Sequence, residues 1–262
     1  MTSQADRMIE ALRSGHQQLV ELVNGVTPED LTRISGASEW TVAQVLSHLG
    51  SGAEITLAGL ENALAGKGAT EREFATSVWA RWDGMSPAEQ AAEFPGADEK
   101  LLARYESLDS ATRESLRIDL GFLPTPVDLT YAAGLRLNEV ALHSWDARVT
   151  FDPAATLAPE ATAELFELVG ALLRFGGKAD QLDGSTRIAV HTTDPRRDFG
   201  LEIADAVTLG EVPAEPDATL TAPAEYWLRL ATGRHAPDHT PGSVSVTGSV
   251  SLDDLRKVFP GF

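Results

Sequence analysis

The sequence contains no cysteine. This absence excludes disulfide bonds, cysteine nucleophiles and thiolate metal ligands together. Any metal site in the chain must therefore be built from histidine, aspartate and glutamate. If the protein performs thiol chemistry, the thiol has to arrive on a small molecule.

Basic residues are scarce: 21 Lys and Arg stand against 39 Asp and Glu, for a formal net charge of -18. Nucleic acids and anionic membranes select basic surfaces, so neither is an expected partner. The sequence also lacks the run of about 18 apolar residues that a membrane-spanning helix needs. Its first residues are charged and amphipathic rather than basic and then apolar, so we expect no secretory signal and a cytoplasmic location.

The remaining composition is that of an ordinary globular protein, with 43% hydrophobic and 23% charged residues in a chain of 262. This length suits one large domain or two modest ones. The chain can therefore bury a substantial core without disulfides.

The first half has the apolar periodicity of helices. Ser86-Pro87, with Glu89 following, is a helix start in which proline occupies the first helical position. Four helices are predicted, at about 4–24, 41–66, 87–116 and 127–149, the third with a possible interruption at 94–96. Four helices joined by loops predict an antiparallel bundle over residues 1–150.

The second half, residues 151–262, changes character. Alternating, β-branched segments typical of strands lie at 186–192, 199–203 and 244–247, with a similar short segment at 218–221. Helices are predicted at 159–175, 223–232 and 252–258. The expected fold class is therefore α+β in two domains: a helical bundle followed by a small sheet with helices packed on it.

One group of residues suggests a metal site. Glu139 and His143 are four apart, so on a helix they project from one face. Their neighbours are mostly apolar, and a buried ionisable pair is costly unless something such as a metal compensates it. His48 lies among apolar residues of another predicted helix. Taken alone, a glutamate and a histidine at this spacing more often form a solvated pair, and a histidine beside leucines is more often a core residue, so the pattern leaves these interpretations open.

A family resemblance narrows the choice. The segment WTVAQVLSHL at 40–49, followed by R-x-x-E-x-x-x-H-x-x-D at 136–146, resembles the mycothiol-dependent maleylpyruvate isomerase family, within the wider DinB-like group. The resemblance implies a four-helix domain that binds zinc through His48, Glu139 and His143. Residues 218–234 and 244–248 resemble the sterol-carrier-like C-terminal domain of the same proteins.

The resemblance also implies an activity. Two histidines and a glutamate leave at least one position on zinc open, and mycothiol would bring its sulfur there. The metal would hold the thiol as thiolate, the form that attacks. Addition to a carbon–carbon double bond followed by departure is isomerisation, whereas displacement of a leaving group is S-transfer. Another divalent metal could replace zinc, because imidazole and carboxylate accept several.

Further residues are candidates for supporting roles. Asp146 and Asn138 could orient a metal ligand, although a surface charge is the simpler interpretation of Asp146. Arg136, three residues before Glu139, is expected to form a salt bridge with it. The candidates for binding substrate or thiol are Arg72, Arg81, Trp82, Tyr226 and Arg229.

Two other functions stay open. The metal could be structural in a non-catalytic protein that binds a small apolar ligand or a partner, or it could activate water for hydrolysis. An enzyme needs a coordination position that solvent can reach, whereas a structural site is closed by a fourth protein ligand. A monomer and a homodimer are equally compatible with the sequence.

Overall fold

The computed structural model of the protein describes residues 3–261, apart from the side chain of Arg174. The chain forms two compact units, the first ending at Asp152 and the second beginning at Pro153. Within residues 3–261, no helix combines the length and the apolar character needed to cross a membrane.

The first unit is helical. In chain order its elements are α1 (Gln4–Gly25), α2 (Val42–Leu64), α3 (Arg72–Asp83), α4 (Pro87–Ser107), α5 (Ser110–Ser115), β1 (Arg117–Ile118), β2 (Val127–Asp128) and α6 (Leu129–Arg148). A short 3-10 turn lies at Asp30–Thr32, and β1 pairs with β2 as a small antiparallel hairpin.

Helices α1, α2 and α4 each begin with a capping box. Ser3, Thr41 and Ser86 each accept a hydrogen bond from the backbone amide three residues on, and the side chain at that position accepts one from the backbone amide of the cap residue. These reciprocal bonds satisfy amide groups that a helix start would otherwise leave unpaired. The local sequence therefore fixes where three of the four long helices begin.

Helices α1, α2, α4 and α6 form the bundle: α1 and α2 each contact both α4 and α6. Helix α6 is buried on nearly all sides, and its buried residues include the polar Arg136, Asn138 and Asp146. Between Tyr131 and Ala147 its only positions that are not buried are Tyr131, Leu135, Glu139 and His143. These positions are spaced by four residues and so form a single stripe.

Several details of the first unit differ from prediction. Helix α4 continues through Pro95, where only a possible interruption was predicted, because burial of Phe94 and Leu101 on either side outweighs the one backbone hydrogen bond that proline removes. It ends at Ser107, and α5 is a separate helix. Helix α3 was not predicted, because only Val78 and Trp82 of its residues are buried and the apolar pattern is weak.

The second unit mixes helices with a sheet. Its elements are α7 (Pro159–Gly176), β3 (Thr186–Thr193), β4 (Arg197–Ile203), β5 (Val207–Gly210), β6 (Ala218–Pro223), α8 (Ala224–Ala231), β7 (Ser245–Gly248) and α9 (Leu252–Val258). Short 3-10 turns lie at Ala179–Gln181 and Pro237–His239.

The sheet has the strand order β5-β4-β3-β6-β7. Strands β3 and β6 are parallel, with Val190 opposite Leu220, and the other pairs are antiparallel. Helix α8 is buried along its whole length, and α7 contacts both α8 and β5. Strand β5 was missed by the sequence prediction. The predicted class, a helical bundle followed by a small α+β unit, is confirmed.

Candidate metal centre

The three predicted ligands come from two helices of the bundle. His48 lies in α2, and Glu139 and His143 are one turn apart on the partly open stripe of α6. Their side chains are 35%, 44% and 13% exposed, respectively. The centre is therefore open to its surroundings, whereas the rest of α6 is packed.

Ligating atoms of these three residues all lie within 4.8 Å of one another. Glu139 Oε2 is 2.7 Å from His48 Nε2 and 3.6 Å from His143 Nε2. Both imidazoles thus turn their Nε2 atoms toward one carboxylate oxygen. The structure brings together residues that are 91 positions apart in the chain.

Asp146 holds His143 from the other side of its ring. Its carboxylate is fully buried, and its Oδ2 lies 2.8 Å from His143 Nδ1. Because a carboxylate accepts hydrogen bonds, Nδ1 carries the proton and the lone pair of Nε2 is left for a ligand. Asn138 is also buried, but within residues 3–261 its Oδ1 accepts no hydrogen bond. Its proposed orienting role stays a prediction.

The carboxyl of Glu139 is held in its charged form. Desolvation by itself would raise its pKa, but the hydrogen bond with His48 and the charges of His143, His48 and Arg136 lower the pKa of Glu139 to about 2. The carboxylate of Glu139 and the imidazole rings of His48 and His143 are side chains of the kind that bind a divalent cation.

These residues fit a divalent ion. Zinc lies about 2.0–2.2 Å from nitrogen and oxygen ligands, which places tetrahedral donors about 3.3 Å apart. The observed 2.7 and 3.6 Å separations bracket that value. The shorter one is a hydrogen bond, so an ion would take the place of the shared proton. The cluster found among the described residues has three members, which leaves a coordination position for a ligand from outside.

The structure does not join the predicted residues of α3 to this cluster. Arg72 is exposed, whereas Trp82 is fully buried. Arg81 forms an ion pair with Glu54, and the indole of Trp82 donates to the same carboxylate at 3.0 Å. Their part in substrate binding stays a prediction.

Tyr226 and Arg229 lie on α8, inside the second unit. Arg229 donates to both carboxylate oxygens of Glu225 at 2.7 and 2.9 Å and to the carbonyl of His239 at 3.0 Å. The hydroxyl of Tyr226 lies 3.3 Å from that of Thr240. These polar groups are engaged within their own unit, and their role toward a thiol stays a prediction.

Sequence reasoning missed the surroundings of Arg136. Its guanidinium pairs with Asp98 at 2.8 Å and donates to the carbonyl of Leu49 at 2.8 Å, rather than forming the expected salt bridge with Glu139. Asp98 is 38 residues away on another helix. No local signal in the sequence could have identified it.

Comparison with known proteins gives one family and one fold. The family model for the mycothiol maleylpyruvate isomerase N-terminal domain matches residues 12–148, just over half of the chain. Two solved structures are similar: a mycothiol-dependent maleylpyruvate isomerase and a histidine-to-alanine mutant of it. Each has a TM-score of 0.66 and 12% identity, and the alignment covers 96% of this chain and 98% of that chain. No curated protein matches.

Proposed function

The chain belongs to the family of the mycothiol maleylpyruvate isomerase N-terminal domain, and on that premise we propose that it is a thiol-dependent enzyme acting on a small electrophile. One divalent ion, zinc, would be held by His48, Glu139 and His143. The observation that carries this proposal is the convergence of two imidazoles and one carboxylate in a chain without cysteine. The chain offers side chains that could bind a metal, but a thiol nucleophile would have to come from a small molecule.

The side chains have distinct roles in this proposal. His48 and His143 offer their Nε2 lone pairs, and Glu139 adds the negative charge that makes the site select a cation. Asp146 keeps the proton of His143 on Nδ1. When bound, the ion supplies positive charge that lowers the pKa of a thiol at the open position. The exposure of His48 and Glu139 supports access by a thiol from solution.

The borrowed thiol is mycothiol, and the reaction is isomerisation of an activated alkene. The thiolate sulfur forms a bond to one alkene carbon while the π electron pair moves onto the conjugated carbonyl. The former double bond can then rotate as a single bond. Return of the electron pair expels the thiolate and restores the alkene in its other geometry. If a leaving group departs instead, the sulfur stays and the outcome is S-transfer.

The two units would correspond to two domains of the family. We infer that the first unit is the DinB-like metal-binding domain and the second the sterol-carrier-like domain. The sequence patterns at 218–234 and 244–248 support the second assignment, and they fall on β6, α8 and β7.

Metal content tests the proposal. Protein purified without an affinity tag or chelator should carry about one zinc per chain, and the His48→Ala and His143→Ala variants should lose it. His191→Ala is the matched control, because His191 pairs with Asp198 on the surface of the second unit and should leave metal content unchanged. The His48→Ala variant should still fold, since the side chain of His48 is 35% exposed.

The activity assay follows with mycothiol and a conjugated cis-alkene diacid such as maleylpyruvate. Turnover that requires both metal and thiol is the expected result. Turnover that needs the metal but no thiol would favour a hydrolase, and bound metal without any turnover would favour the non-catalytic alternative. Absence of metal in the wild type, even after reconstitution, would refute the proposed site.

A further inference from the structure

The segment between α1 and α2 places an aromatic ring against both histidines of the candidate centre. The Trp40 ring lies 5.5 Å from that of His143 in a stacked arrangement, with 27° between the planes. It lies 5.0 Å from the ring of His48 at 45°. The two imidazoles are 4.8 Å apart and meet edge to face. Each of the three rings therefore contacts the other two.

Trp40 is held by a closed loop rather than by a helix. Ile34 and Thr41 pair as an antiparallel bridge, and the amide of Ser35 donates to the carbonyl of Trp40 at 2.8 Å. The amide of Val42, the first residue of α2, donates to the carbonyl of Arg33 at 3.0 Å. The loop (residues 33–41) is thus tied to the start of the helix that carries His48.

The same loop is anchored on α6. The amide of Gly36 donates to the carbonyl of Asp146 at 2.8 Å, and the guanidinium of Arg33 donates to the carbonyl of Thr150 at 2.7 Å. Asp146 is the residue whose side chain holds His143 Nδ1. One loop therefore bonds to the end of the helix that carries His143 and presents a ring to both histidines.

The contact with α6 requires glycine. A Cβ atom added at Gly36 would lie 2.8 Å from a methyl of Val149, 3.0 Å from the ring of Trp145 and 3.1 Å from Cα of Asp146. The last of these is backbone and cannot move aside. A side chain at position 36 would therefore push the loop away from α6, and Trp40 with it.

Contact between the rings limits how the imidazoles can rotate. The χ2 torsion of histidine is broad and has little intrinsic preference, so a partly exposed histidine samples several ring orientations. Asp146 restrains His143 at one nitrogen, and no comparable bond holds the Nδ1 of His48 among the interactions of the described residues. An aromatic surface against both rings restricts them together, and this reduces the entropy lost when an ion binds.

We propose that Trp40 is a positioning residue for the metal centre: the loop holds its indole against His48 and His143, so that both Nε2 atoms face Glu139 before the ion arrives. This inference rests on the proposed metal site. Trp40 would then contribute to metal affinity although it is not a ligand and lies outside the two helices that carry the ligands.

The test is a zinc titration of metal-free protein against a chromophoric chelator of known affinity. Trp40→Ala should weaken zinc binding about tenfold or more, the size typical of losing a group that orients a ligand. Trp40→Phe should recover most of the affinity, because a planar ring remains. Gly36→Ala should weaken binding without removing any aromatic group.

Two controls match these changes. Trp79→Ala removes an exposed tryptophan of α3, and Gly25→Ala adds a methyl at the end of α1, where nothing lies within 4 Å. Both should bind zinc like the wild type. Thermal unfolding in excess chelator separates affinity from stability. The metal-free Trp40 variants should have melting temperatures close to that of the metal-free wild type, even though their zinc affinity differs.

Each outcome decides something different. If the wild type binds zinc and Trp40→Ala binds it equally well, the inference is overturned while the metal site stands. If the wild type binds no zinc, the proposed function itself fails. Should Trp40→Ala not fold, Gly36→Ala decides alone, and unchanged affinity in that variant overturns the inference.

Discussion

Two polar clusters in the helical unit are built from similar residues but differ in their surroundings. The closed cluster consists of His16, Asp98 and Arg136, whose side chains are 8%, 4% and 4% exposed. The open cluster is the candidate metal centre of His48, Glu139 and His143, at 35%, 44% and 13%. Each has a carboxylate and at least one imidazole, so residue type alone does not distinguish them.

The closed cluster satisfies its own charges. Asp98 contacts His16 Nδ1 at 2.9 Å and Arg136 at 2.8 Å, so its negative charge meets a cation and a hydrogen-bond donor. Arg136 also donates to the carbonyl of Leu49, which ties α6 to α2. Because both carboxylate oxygens of Asp98 are paired and the three side chains are almost completely buried, this cluster leaves the carboxylate no open position for an outside ligand.

In the open cluster the negative charge is not paired with a permanent cation in this way. Among the side chains that the structure describes, Glu139 contacts the imidazole rings of His48 and His143 and no arginine directly, so three groups that can act as metal ligands meet without a permanent cation. The closed cluster thus differs from the candidate metal centre in two respects: it contains an arginine, and its side chains are far less exposed. Three predictions test this distinction, beginning with the largest expected effect.

Replacing Arg136 with methionine should destabilise the protein by about 3–5 kcal/mol, because the Asp98 carboxylate would stay buried without its cation. Urea unfolding measures the change. Arg104→Met is the matched control, since its pair with Glu61 is 33% and 51% exposed. That variant should lose no more than about 1 kcal/mol. Equal losses in the two variants would contradict the distinction between buried and exposed pairs.

Replacing Asp146 with asparagine should weaken zinc binding by about 10–100-fold, because a neutral amide holds His143 Nδ1 less firmly than a carboxylate does. Competition with a chelator of known affinity measures this. The metal-free variant should unfold cooperatively, which shows that the bundle is intact. Unchanged zinc affinity in a folded variant would mean that Asp146 has no part in orienting the ligand.

Lowering the pH should reduce the stability that the closed cluster contributes. The effect should be smaller than that of either substitution, because protonation leaves the Asp98 side chain in place. Burial by itself would raise the pKa of Asp98, but the hydrogen bond from His16 and the charge of Arg136 lower it below its ordinary value. The stability from this shift is therefore fully present above the unfolded pKa of about 3.9 and is lost as pH falls through the lower folded value.

Urea unfolding of the wild type and of Asp98→Asn at a series of pH values from about 6 to 3 checks this. The variant should be less stable at pH 6 but should lose less of its stability between pH 4 and 3. Parallel profiles for the two proteins would show that Asp98 does not carry the acid sensitivity.

Much of the fold could be predicted from local patterns. Ser86-Pro87 marks the start of α4, and the predicted helix at 252–258 is observed as Leu252–Val258. The family resemblance, based on 40–49 and 136–146, is confirmed by the match over residues 12–148. Helix α3 and strand β5 could not be predicted, because each buries few side chains and so leaves little periodicity in the sequence.

The sequence by itself determined that Glu139 and His143 share a helix face and that no cysteine can serve as ligand or nucleophile, because helical spacing and composition are local properties. Only the tertiary structure decided that His48 meets Glu139, that Asp98 rather than Glu139 pairs with Arg136, and that Trp40 lies on both imidazoles. These contacts join residues far apart in the chain, and they depend on how whole helices pack. No short-range pattern encodes that packing.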